Sequence, residues 1–119
     1  MAYVDYDLEM FDDALVASAT SNVIDFSQTV EYSTETNSPA NYVNIEITGD
    51  TTGALTTAIQ DSADNSTYAE ILSHTFAADA VAGTGVSLLL PTEARRYMKA
   101  VNTTATAGSV SVWIGQKKF

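Results

Sequence analysis

Apolar and polar residues alternate at the period of a β-strand through most of the chain from Asn41 to Ile114. In Tyr42-Val43-Asn44-Ile45-Glu46-Ile47, side chains two apart share a face, so Val43, Ile45 and Ile47 form one buried row. Leu55, Thr57 and Ile59 repeat the pattern after the turn Gly49-Asp50-Thr51-Thr52-Gly53. A second polar turn, Asp61-Ser62-Ala63-Asp64-Asn65-Ser66, leads to a predicted strand over 68–76, whose inward residue is Ile71 or Leu72 according to a register the sequence leaves open. A small-residue loop over 77–85 precedes Val86-Ser87-Leu88-Leu89-Leu90, which Pro91 halts because it has no N–H for a ladder. Residues 97–101 and 109–114 predict the last two strands, and the polar turn over 102–108 suggests that they form an antiparallel hairpin. With a short strand at Val23-Ile24-Asp25-Phe26 and a surface loop over 31–40, the count reaches seven or eight. That spacing predicts an all-β fold, an antiparallel sandwich or jelly roll.

Residues 3–15 fit two periods. Val4, Leu8, Phe11 and Leu15 fall at helical spacing, whereas Tyr6, Leu8 and Met10 alternate with Asp7 and Glu9 as a strand would. Either conformation is amphipathic, so the segment is a tail folded onto its own sandwich or an arm reaching for a neighbour. The expected organisation is an acidic N-terminal arm over 1–18 and one β-sandwich domain over 19–119.

A chain of 119 residues fits one domain, and at that size folding hides roughly two-thirds of the unfolded surface. A hydrophobic content of 45% suffices for one core, and the absence of cysteine excludes disulfides and thiolate metal sites. The formal charge of −10 disfavours binding to nucleic acid or to an anionic membrane. All five basic residues, Arg95, Arg96, Lys99, Lys117 and Lys118, lie in the final quarter of the chain. Acidic and basic parts so separated suit contacts with different surfaces, or with each other across a self-association contact. No positively charged leader is visible at the start, and no apolar run reaches membrane-spanning length.

Candidate chemistry is sparse. His74, the single histidine, lies in a strand pattern without a marked nucleophile, and a structural role is the expectation for it. Asp61, Asp64 and Asn65 lack the alternate spacing and terminal Glu of a calcium loop and are better read as an Asx-type turn. Asp12 and Asp13, adjacent on one strand, should point to opposite faces, a poor arrangement for paired acid and base. Gly83-Thr84-Gly85 lacks the lysine and the length of a phosphate cradle. Arg95 and Arg96 are the most specific charged feature, because a planar guanidinium suits interfaces with carboxylates. Trp113 and Tyr97 could stack on sugar rings, which makes a carbohydrate-binding module the alternative reading, although core packing competes for both. No catalytic residue, cofactor or metal ligand is expected.

Several segments in order resemble one family: Phe11-Asp12-Asp13-Ala14, Ser21-Asn22-Val23-Ile24-Asp25, Ala58-Ile59-Gln60-Asp61-Ser62-Ala63-Asp64, Leu88-Leu89-Leu90-Pro91, Arg96-Tyr97-Met98-Lys99 and Gly108-Ser109-Val110-Ser111-Val112. Together they are similar to the Bbp16-type capsid cement, or decoration, proteins of tailed bacteriophages. The resemblance implies a small jelly-roll-like β protein, made in the bacterial host cytoplasm, that sits on the outer capsid surface of the virion. It also implies that the protein bridges neighbouring major capsid proteins of the HK97-like fold and forms a homo-oligomer, a dimer being favoured. On that reading Tyr3, Tyr6, Leu8, Met10 and Phe11 would supply arm contacts, and Arg95 or Arg96 a polar anchor.

Overall fold

The computed structural model describes residues 9–15, 20–25, 42–90, 96–103, 105–115 and 117–119. Its strands are β1 (Glu9–Leu15), β2 (Ile24–Asp25), β3 (Tyr42–Thr52), β4 (Leu55–Ser62), β5 (Ala69–Phe76), β6 (Gly85–Leu89), β7 (Tyr97–Thr103) and β8 (Ala107–Gly115). They form two four-stranded antiparallel sheets, ordered β1-β8-β3-β6 and β2-β7-β4-β5. The order is nested: β1 pairs with β8, β2 with β7, β3 with β6 and β4 with β5. One long hairpin with its turn between β4 and β5, rolled up, would give this arrangement.

The alternation read from the sequence selects the core. Val43, Ile45 and Ile47 of β3 are fully buried opposite Ile114, Val112 and Val110 of β8, and the other sheet contributes Leu55, Ile59, Met98 and Ala100. Thr57 also faces inward as its place in the pattern predicts, and its hydroxyl donates to Asn102 Oδ1 at 2.7 Å. A buried hydroxyl held this way avoids the desolvation cost of an unmade hydrogen bond.

Local pattern and fold diverge in three places. Residues 9–15 are not an arm: β1 is hydrogen-bonded to β8 as a strand of the sandwich, while residues 1–8 and 16–18 lie outside the described residues. The strand period of Met10 therefore prevails over the helical one, because β8 offers a ladder that an isolated helix turn cannot replace. β3 runs through the predicted turn to Thr52, since β8 supplies partners at Gly49↔Ser109 and Thr52↔Ala107, leaving only Gly53 and Ala54 to reverse the chain. β7 and β8 are not a hairpin. β7 pairs with β2 and β4 while β8 pairs with β1 and β3, so the chain crosses between sheets there. Turn chemistry fixes a reversal of direction, whereas the choice of neighbour depends on strands far away in sequence.

The register of β5 has a physical resolution. Ile59 pairs with Leu72 and Gln60 with Glu70, so Ile71 is the extra residue of a β-bulge. Both Ile71 and Leu72 consequently pack against the core.

Candidate functional site

The outer face of the β1-β8-β3-β6 sheet carries a cluster of polar and aromatic side chains. Glu9 of β1 sits opposite Trp113 of β8, and Trp113 is opposite Asn44 of β3, which in turn is opposite Ser87 of β6. This face points away from the core, yet Asn44 is 0% exposed and Trp113 only 8%. Residues 117–119 lie against it, touching Asn44 and Ser87 and placing the Lys118 ammonium over the Trp113 ring.

That segment is held at several points. The Lys118 N–H donates to Asn44 Oδ1 at 3.2 Å and to Ser87 Oγ at 3.1 Å, and the Phe119 N–H donates to Ser87 Oγ at 3.0 Å. Ser87 Oγ itself donates to Asn44 Oδ1 at 2.5 Å. The Lys118 ammonium reaches Glu46 Oε1 at 2.6 Å and stands 5.3 Å from the centroid of the Trp113 ring, within cation–π range. The Phe119 ring rests on Gly85, where any Cβ would occupy the space of the ring. Beside this segment a cleft of about 220 Å³ is lined by Glu9, Phe11, Asp12, Glu46, Ser111, Trp113 and Lys118.

Electrostatics in and around the cleft follow from these neighbours. Burial, and then the charge of Asp12, pushes the Glu9 carboxyl above its ordinary range. Asp13 is lowered by hydrogen bonds from Thr48 and Ser109, that from Thr48 Oγ1 to Asp13 Oδ1 measuring 2.6 Å. Asp13 lies at φ 48°, in the left-handed region that Asp tolerates better than most residues, within an irregular stretch of β1. This bulge brings Asp12 and Asp13 to the same outer side, contrary to the opposite faces expected of a regular strand.

The site residues expected from sequence separate into three groups. Met10 and Phe11 are 3% and 5% exposed and belong to the core, so they are not arm contacts; pairing of β1 with β8 turns both inward at an irregular register. Tyr3, Tyr6, Leu8 and Arg95 lie outside the described residues. Arg96 makes a two-pronged pair with Asp25 of its own chain, Nε to Oδ1 at 2.6 Å and Nη2 to Oδ2 at 2.9 Å, and stacks 4.8 Å from the Tyr97 ring centroid. Its fork is engaged intramolecularly, next to the β2·β7 pair. Trp113, offered for sugar stacking, lies beneath Lys118. The seat formed by Gly85, Ser87, Asn44 and Glu46 was missed, and the only sequence signal was Lys117-Lys118-Phe119 beside outward-alternating Asn44 and Glu46.

His74 is half-buried, its ring 4.6 Å from Phe76 in an edge-to-face contact, and burial lowers its pKa. No group of three or more His, Asp or Glu side chains among the described residues is placed to hold a metal ion. Asp64 forms the Asx-type turn: its Oδ1 accepts from the N–H groups of Ser66 and Thr67 at 2.9 and 3.0 Å and from Ser62 Oγ at 2.9 Å. The backbone donors of Thr67 and Ser66, then the Ser62 hydroxyl, lower its pKa to about 2. Because the folded value lies below the usual 3.8, this group's stabilising contribution is present above that value and is lost as pH falls toward about 2. Asp64→Ala should flatten the dependence of the urea midpoint on pH across that window, and an unchanged slope would count against the turn's role.

Two antiparallel sheets packed face to face, one of them with an aromatic and charged outer face, define a β-sandwich protein. A family model described as Bbp16 matches residues 12–114. The chain belongs to the Bbp16 family. Among solved structures, one described as the crystal structure of PirA is similar in fold, with a TM-score of 0.52 and 19% identity over 87% of this chain and 91% of that one. No curated protein matches in sequence.

Proposed function

We propose that this protein is a structural cement, or decoration, protein of a bacteriophage head, with a binding rather than a catalytic role. The observation that carries the reading is the Bbp16 match over residues 12–114. The nested strand order supports assigning the sandwich to the jelly-roll type, an eight-stranded architecture that also occurs in viral capsid domains. The proposed partner is the outer surface of a major capsid protein of the HK97-like fold, and the protein bridges neighbouring copies while pairing with itself as a dimer. Repetition over a symmetric shell converts modest contacts into a stable lattice, so no single strong site is needed.

With Met10 and Phe11 in the core and Arg96 paired to Asp25, the contacts fall to other exposed groups. Leu15, at the end of β1, is 77% exposed, and Val81 and Leu89 are 59% and 57% exposed. Large apolar side chains in such positions are suited to burial against a partner. Purified heads should carry this chain at a fixed multiple of the icosahedral unit, with density for it on the outer surface in a reconstruction. Heads that lack the chain would overturn the reading.

A further inference from the structure

We propose that residues 117–119 form a releasable strap over the outer face of the β1-β8-β3-β6 sheet, switching that face between a covered state in which Lys118 neutralises Glu46 and an open, more acidic and aromatic one. The inference rests on the seat geometry and is independent of the capsid reading. Three features of different chemistry converge on the same short segment. Gly85 leaves a notch that the Phe119 ring fills. Asn44 Oδ1 and Ser87 Oγ accept the backbone N–H of Lys118, and Ser87 Oγ also accepts that of Phe119. The Lys118 ammonium lies against Glu46 and the Trp113 ring.

These contacts position the strap without locking it. The Lys118 and Glu46 side chains are 45% and 24% exposed, and ion pairs open to water to this degree are weak and screened by salt. The Phe119 ring packs on an outer face rather than in the core between the sheets. Among the described residues lining the cleft, Lys118 is the one cation, beside Glu9, Asp12 and Glu46. Lifting the strap removes that charge and uncovers the Trp113 ring in the same movement.

Trp113 is the only tryptophan of the chain and reports the strap directly. Acrylamide quenching of its fluorescence should be measured on the full chain and on Phe119→Ala, Gly85→Val and Lys118→Met, with circular dichroism to verify that each variant is folded. The quenching constant is expected to rise by about twofold or more in each folded variant. In the unaltered chain it should also rise between about 0.1 and 1 M salt, where screening shortens to a few ångströms. Phe119→Ala removes only a ring outside the core, so the test survives if Gly85→Val fails to fold. Equal quenching in the unaltered chain, Phe119→Ala and Lys118→Met, with no response to salt, would overturn the strap.

Discussion

Phe11→Ala is expected to lower the free energy of unfolding by about 3–5 kcal/mol, the range found when a buried aromatic ring is truncated and leaves a cavity. Phe11 is 5% exposed and packs in the common core, with its backbone in register with Val112 of β8. Small domains are stable by only about 5–15 kcal/mol, so this one change would remove a large part of the total. An arm reaching for a neighbour would behave differently: its truncation would weaken assembly and leave the isolated domain intact. Leu15→Ala, on the same strand but at a side chain 77% exposed, is the control and should stay within about 0.5 kcal/mol of the unaltered chain. Urea unfolding followed by circular dichroism separates the two cases. Equal midpoints for Phe11→Ala and the unaltered chain would remove β1 from the cooperative core.

Gly108→Ala should be almost as damaging, at about 2–4 kcal/mol, for reasons of backbone rather than of burial. Gly108, the second residue of β8, has φ 115°, a conformation L-residues rarely adopt, and a Cβ there would lie 2.8 Å from Thr51 Cα and 2.9 Å from Asp50 O. Both are main-chain atoms of β3, fixed by the sheet, so neither can rotate away. Gly83 provides the comparison, because it has φ 97° and a Cβ added to it would meet nothing within 4 Å. Gly83→Ala thus has a positive-φ penalty without the collision, roughly 1–2 kcal/mol. The difference between the two thermal midpoints measures the close approach of β8 to β3. Indistinguishable losses would mean that this contact relaxes freely.

The legible part of the fold was that fixed by neighbours in sequence. Val43, Ile45 and Ile47 could be assigned to one face because a strand repeats every two residues, whatever lies across from it. Asp64 could be read as a turn residue because its acceptor reaches N–H groups only two and three residues ahead. Ile71 and Leu72 could not be separated, since the bulge that turns both inward exists only against β4. The expected β7–β8 hairpin failed for the same reason: its turn was visible, but the preference of each strand for a more distant partner was not. At the site, Arg96 was visible as an arginine suited to a carboxylate, and Asp25, 71 positions away, is the carboxylate the fold supplies. Lys118 and Glu46 are 72 positions apart and carried no mutual signal.

The train of alternating strands, the absence of cysteine and the late clustering of basic residues were determined by the sequence alone, as local periodicity and composition require no knowledge of contacts. Tertiary structure decided which of the apparent surface residues are surface. It drew Met10 and Phe11 into the core by pairing β1 with β8, matched Arg96 to Asp25, and laid Lys118 and Phe119 over Trp113 and Gly85. Each of these outcomes depends on a partner distant in sequence, and distant pairings are set by how two whole sheets bury their apolar faces together rather than by any residue's own preference.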